Sequence, residues 1–176
     1  FGEDLDAPEE VGASAAERTL ARLGPRKPPT GQFPVVYHQR VAGSLVGTLA
    51  GAINGASIAR GTSFLKDSMG AQVTSAGLTF IDDPLRPRGM ATRLFDGEGL
   101  PVRRRAMVEE GVLQSWFLDI ASATKLGLAP TGQAARGMGS APAPGSSNFY
   151  LENGDFSFDD LIADIEEGFL VTEMMG

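Results

Sequence analysis

The chain has 176 residues, no cysteine and a formal charge of −7 at neutral pH, which excludes disulfides and thiolate metal centres and disfavours a general affinity for phosphate backbones. That length holds one large domain, or one domain with a fragment of another, and suffices for an ordinary core. No apolar run approaches the roughly twenty residues needed to span a bilayer. The start at Phe1, without a methionine or a signal-like stretch, reads as part of a longer chain. The missing cysteine fits a reducing compartment, and the expected location is the cytoplasm.

In chain order, Asp6 is the expected N-cap of a first helix, with Pro8 in its first turn and Glu9 and Glu10 near the positive end of its dipole. Val11, Ala15, Ala16, Leu20 and Leu23 form its apolar face, and Gly24-Pro25 ends it. Residues 25–31 are a proline-rich, stiff linker. Residues 1–30 therefore read as the end of a preceding domain, and 31–176 as the next.

Phe33–Tyr37 reads as a short strand, followed by the chain's single histidine, His38, which without partners is a surface or core residue rather than a ligand. Residues 41–59 read as one helix, because Leu45, Leu49, Ala52, Ile53 and Ala56 recur at helical spacing. Gly43, Gly47, Gly51 and Gly55 line one face of it and admit another backbone closely. Each glycine costs about 1 kcal/mol of helix propensity against alanine, so tertiary contacts must offset the loss and the helix should be buried. Arg40, Asn54 and Arg60 exclude a membrane reading of the same run.

After the Arg60-Gly-Thr-Ser63 turn, residues 64–69 read as a helical turn capped by Ser63, and Leu78–Ile81 as a strand stopped by Asp82-Asp83-Pro84. Arg103–Met107 and Gly111–Leu118 form the expected hairpin around Glu109-Glu110-Gly111, with the second strand central and covered on both sides. A short helix over 119–126 ends at Gly127. Residues 129–147 carry almost no large side chains and read as a long loop, either a flexible surface segment or a functional one.

Asn148–Leu151 resumes a strand, Ser157 and Asp160 have the spacing of a capping box, and Phe158, Leu161, Ile162 and Ile165 give the next helix its buried side. Gly168 is placed after that helix, and Phe169–Thr172 forms a last strand. The predicted fold is α+β, with a curved, mainly antiparallel sheet packed on a glycine-rich buried helix.

Three polar constellations carry less. Arg86, Arg88, Arg93, Arg103, Arg104 and Arg105 are interleaved with nearby acids, so internal salt bridges or a partner-facing patch outweigh nucleic acid as their explanation. Gly61-Thr62-Ser63 has no lysine in phosphate-loop register. Asp82-Asp83 and Glu109-Glu110 read as solvated turn residues, since adjacent carboxylates on a strand point apart.

A resemblance adds to this reading. Arg60-Gly-Thr-Ser-Phe-Leu-Lys-Asp67, Gly70-Ala-Gln-Val73, Ile81-Asp-Asp-Pro-Leu-Arg-Pro-Arg-Gly89, Phe95-Asp-Gly-Glu-Gly99 and Arg103-Arg-Arg-Ala-Met-Val-Glu-Glu-Gly-Val-Leu113 resemble the TldD/PmbA family, and its PmbA (TldE) branch in particular, with the blocks in family order across residues 35–175. The resemblance implies a two-chain zinc peptidase in which a TldD-like subunit carries a His-Glu-xxx-His helix and the PmbA-like subunit lacks it. It also implies further chain beyond the last strand, so that 31–176 is an incomplete C-terminal domain. Gly43, Ser44 and Thr48 stand where that motif's His, Glu and His would be, and none supplies a zinc ligand or a general base.

The expected role is a non-catalytic, zinc-free subunit that helps degrade unfolded peptides, with zinc only in a TldD-like partner and homodimers as a further assembly. Arg60, Gly61, Thr62 and Ser63, together with Arg136, Gly137 and Gly139 of the glycine-rich loop, are the expected peptide or partner contacts. The family's label as a modulator of DNA gyrase keeps a regulatory binding module without proteolysis, acting on gyrase or a toxin–antitoxin pair, as the alternative. An active peptidase with other ligands, His38 among them, is a third reading.

Overall fold

The computed structural model describes residues 2–174; Phe1 and the last two positions of the domain expected over 31–176 lie outside the described residues. The chain divides into two compact units, Phe1–Phe33 and Pro34–Gly176. The first holds a 3-10 turn, Gly2–Asp4, and helix α1, Pro8–Leu20. The helix starts from Ala7, which is extended and makes no side-chain cap bond, rather than from Asp6. Pro8 is the reason, because a proline at the first helical position forces the residue before it out of the helical region.

The second unit contains, in order, β1 (Val35–Tyr37), α2 (Gln39–Ala52), α3 (Gly55–Arg60), β2 (Phe80–Asp82), β3 (Arg105–Glu109) and β4 (Val112–Leu113). It continues with α4 (Ile120–Leu126), β5 (Ala134–Ala135), β6 (Ala143–Pro144), β7 (Phe149–Leu151), α5 (Phe158–Ala163) and β8 (Phe169–Val171). The main sheet is antiparallel in the order β4-β3-β2-β7, with a register shift between Phe80 and Ile81. A second sheet pairs β1 with β8 in parallel, and a third pairs β5 with β6.

The core is built from Ile53, Ile58, Leu65, Phe80, Met107, Val108, Leu113, Trp116, Phe117, Leu118 and Ala123. The fold is thus α+β with a mostly antiparallel sheet, as the sequence pattern predicts. The single helix expected over 41–59 is instead two. Ile53 is fully buried and its carbonyl accepts from Phe117 N at 3.1 Å, while Gly55 N donates to Phe117 O at 2.9 Å. The main chain between the helices is therefore committed to a parallel bridge with Phe117 and cannot continue the helical ladder. Asn54 restarts the helix by accepting from Ala56 N.

The expected burial holds only for α3, which buries Gly55 and Ile58; α2 buries none of its residues. Val46, Leu49, Ala50 and Ala52 pack against the core, but Gly43, Gly47 and Gly51 face open space. Only Gly55 is required by close approach, since a Cβ there would stand 2.3 Å from Phe117 O.

The hairpin is present, with Glu110 at φ 48° and Gly111 at φ 82° making the two-residue turn. Its second strand is only Val112–Leu113 and ends the named sheet rather than lying inside it. Gly70–Val73 covers its outer edge through Gly70 N to Leu113 O and Val73 N to Gly111 O. Residues 129–147, expected as a loop, contain the β5–β6 hairpin. The Ser157–Asp160 capping box is present. Helix α5 ends at Asp164, before Gly168, and the side expected to be buried is not: Phe158, Leu161 and Ile162 are all exposed, and only Ile165, beyond the helix, is half-buried.

Candidate functional site

An apolar groove of about 570 Å³ runs between α2 and the β7 end of the main sheet. Gly43, Leu45, Val46 and Leu49 of α2 form one wall, and Phe80, Phe149, Tyr150 and Leu151 form the other. Local chemistry sets both walls. His38 caps α2 by accepting from Arg40 N at 3.2 Å on Nδ1, and its own N–H donates to Val171 O, which fixes the helix entry on the β1–β8 sheet. Phe149 is held edge-on to Phe117 and stacked near Phe80.

Strand β7 is the last in its sheet, and among the described residues no strand pairs with its outer edge. Arg86 lies over the Tyr150 ring, 4.7 Å from its centroid. Arg104 is bonded to Glu152 at 2.8 Å, and the Tyr150 hydroxyl, more than Glu152, holds its guanidinium above the usual range. The resulting site is an apolar channel beside a strand end. It is suited to holding an extended chain by main-chain bonds and shallow side-chain contacts.

Of the three positions that the resemblance sets against a zinc motif, Gly43 lines the groove and has no side chain to offer. The Ser44 hydroxyl donates to Val41 O at 2.6 Å and the Thr48 hydroxyl to Ser44 O at 3.0 Å, both back onto their own helix. His38 uses Nδ1 as a cap and sets its ring edge-on to Phe158 at 6.1 Å. These residues do not fit a zinc ion, which needs imidazole, thiolate or carboxylate donors converging on one point. Among the described residues no group of three or more His, Cys, Asp and Glu is placed to share a metal.

The expected contact residues divide. In the 60–63 turn, Gly61 closes α3 at φ 77° and the Thr62 hydroxyl bonds Ser57 O. Ser63 is buried, with its hydroxyl donating to Ala52 O and accepting from Leu65 N, so this turn ties the end of α2 to the segment after α3. Of this turn, Arg60, Gly61 and Thr62 are exposed. Arg136, Gly137 and Gly139 lie on the exposed tip of the β5–β6 hairpin, where Ser140 Oγ bridges Gly137 N and O. Neither group lines the groove.

The sequence reading missed a buried polar cluster. Asp82, expected as a solvated turn residue, is fully buried at the end of β2 and accepts from Gln133 Nε2 at 2.7 Å and from Ser147 N at 2.7 Å. Its neighbour Asp83 does cap the turn, accepting from Leu85 N. Asp96 is buried too and gathers the amides of Glu98, Leu100 and Ala134. These carboxylates hold the β5–β6 hairpin and the 96–100 turn against the sheet. The spacing of Asp96-Gly-Glu-Gly99 signals such a turn, but nothing local to Asp82 announces its partners, which lie 51 and 65 positions away.

Residues 30–176 match the family model described as the PmbA/TldA metallopeptidase C-terminal domain. The chain is 40% identical over 173 residues to the metalloprotease PmbA of Escherichia coli O157:H7, covering 98% of this chain and 36% of that protein. Its fold matches a Thermotoga maritima protein named for modulation of a DNA gyrase with a TM-score of 0.88 at 30% identity, over 99% of this chain and 39% of the other. It matches TldE from Thermococcus kodakarensis with a TM-score of 0.73 at 29% identity, over 82% and 33%. The chain spans about a third of the length of these relatives.

Proposed function

The chain belongs to the PmbA/TldD metallopeptidase family, and from that premise we propose that it serves as the zinc-free subunit of a two-chain peptidase in the cytoplasm. It holds an unfolded peptide as an extended strand in the α2–β7 groove, and a TldD-like partner supplies the zinc and the cleavage. The observation that carries this reading is Gly43. By the family resemblance it falls where a zinc ligand would stand, it has no side chain to bind metal, and it lines the wall of an apolar groove beside a terminal strand. Strand addition suits a substrate of variable sequence, because main-chain hydrogen bonds are common to every peptide. The exposed glycines Gly47 and Gly51 supply a face on which a partner backbone can approach α2.

The test uses the full-length protein, alone and mixed with a zinc-site-bearing homologue from the same cell, with peptide cleavage and metal content as readouts. Cleavage in the mixture alone supports the assignment, and Gly43→Leu, which fills the groove, should then lower it by at least roughly tenfold, the loss of about 1.4 kcal/mol of peptide binding, without dissociating the pair. Zinc and cleavage in the unmixed protein overturn it. Assembly without cleavage supports the regulatory-module alternative instead.

A further inference from the structure

Arg103 and Arg105, just before and at the start of β3, line a second cleft, about 280 Å³, walled by Pro101, Val102, Pro130 and Gly132. Arg104 points elsewhere and is neutralised there, 2.8 Å from Glu152 and 3.9 Å from Asp83. The pair in the cleft has no such compensation. Arg105 Nε is buried without a hydrogen-bond partner. Among the described residues neither Arg103 nor Arg105 forms an ion pair.

Asp82 is the one acid acting on Arg105, and both its oxygens are taken by Gln133 Nε2 and Ser147 N. Burial first, and the Arg103 charge second, push the Arg105 pKa down, with Asp82 opposing. The cleft wall is firm, because Gly132 sits at φ 71° with its backbone against Pro101 O, which would stand 2.4 Å from an added Cβ.

We infer that this cleft is a binding site for one compact oxyanion, a carboxylate or a phosphate, gripped by the guanidinium groups of Arg103 and Arg105. Such a ligand gives the two guanidinium groups an acceptor and separates two like charges with an opposite one. A guanidinium meets both oxygens of a carboxylate or phosphate in one plane, which an ammonium cannot do. A polyanion is a poor fit, since the chain as a whole carries a charge of −7. The site is separate from the α2–β7 groove and stands whether or not that groove takes a peptide.

The test titrates the full chain, in chloride-free buffer, with N-acetyl-trialanine as the free acid, the same peptide as its amide, and inorganic phosphate, following the backbone amide resonances of Arg105, Thr131 and Gly132. The acid or phosphate should saturate these shifts. Arg103→Gln and Arg105→Gln should each weaken binding about tenfold or more, as loss of a charge-assisted bond requires, and Arg104→Gln should not. Preference for the acid over the amide identifies a peptide terminus as the source; phosphate binding with no such preference identifies free phosphate. Arg103 is exposed, so Arg103→Gln keeps the fold even where Arg105→Gln does not. No saturable shift, or equal binding by Arg103→Gln, overturns the assignment.

Discussion

The side chain of Asn54 donates from Nδ2 to the carbonyl of Pro144 at 2.9 Å, ninety positions away, while its Oδ1 caps α3 by accepting from Ala56 N at 3.0 Å. One residue thus restarts the interrupted helix and ties it to the β5–β6 hairpin. Asn54→Ala should cost about 2 kcal/mol, roughly half from the cap and half from the half-buried tie. Asn54→Asp keeps the cap but sets an acceptor against the Pro144 carbonyl, so it should recover at most the first half. Urea unfolding of the three proteins decides it; an Asn54→Asp variant as stable as the parent would show the tie contributes nothing.

Asp82 predicts a second effect. Asp82→Asn leaves one of Gln133 Nε2 and Ser147 N facing a donor inside the fold, at a cost of about 2 to 3 kcal/mol. Asp83→Asn, one position on, should cost about 1 kcal/mol or less, since that half-buried carboxylate caps a turn at Leu85 N and meets Arg104 only at 3.9 Å. Thermal unfolding of both variants side by side provides the comparison, and equal shifts would contradict the burial-based account.

The contrast between these neighbours marks what was legible in the sequence. Features set by local chemistry were readable: the Glu110-Gly111 turn, the Ser157–Asp160 box, and helix α4 with the glycine that follows it. Features set by distant partners were not. The break at Ile53-Asn54 depends on Phe117, the burial of Asp82 on Gln133 and Ser147, and the order of the 129–147 segment on pairing within it and on Asp96. Glycine spacing on α2 was visible, but which glycines are covered was not, because periodicity specifies a face and not what lies opposite it.

That ambiguity becomes a prediction with opposite signs. Gly47→Ala adds a methyl group to open space and should stabilise the isolated chain by up to about 1 kcal/mol through helix propensity. Gly55→Ala drives a methyl into Phe117 O and breaks the Gly55 N to Phe117 O bond, at a cost of about 3 kcal/mol. If α2 presents its glycine face to a partner subunit, Gly47→Ala should also weaken assembly while raising the melting temperature of the chain alone. Stabilisation with undiminished assembly would remove that face from the interface.

His38 separates a structural histidine from a ligand. Its Nδ1 accepts from Arg40 N, its amide donates to Val171 O, and its ring meets Phe158 edge-on. His38→Asn supplies another strong N-cap acceptor and gives up only the ring contact, so it should cost about 0.5 to 1 kcal/mol. His38→Ala gives up the cap as well and should cost about 1 kcal/mol more. The amide bond to Val171 is main-chain and survives both changes, so β1 and β8 should stay paired. In the two-subunit peptidase assay, His38→Asn should leave zinc content and cleavage within about twofold of the parent, because a shift under 0.5 kcal/mol corresponds to no more than that. A metal ligand behaves in the opposite way: asparagine would then forfeit zinc and activity at little cost in stability. Measuring unfolding and metal content on the same samples therefore distinguishes the two roles, and loss of zinc in His38→Asn would return this residue to the catalytic machinery.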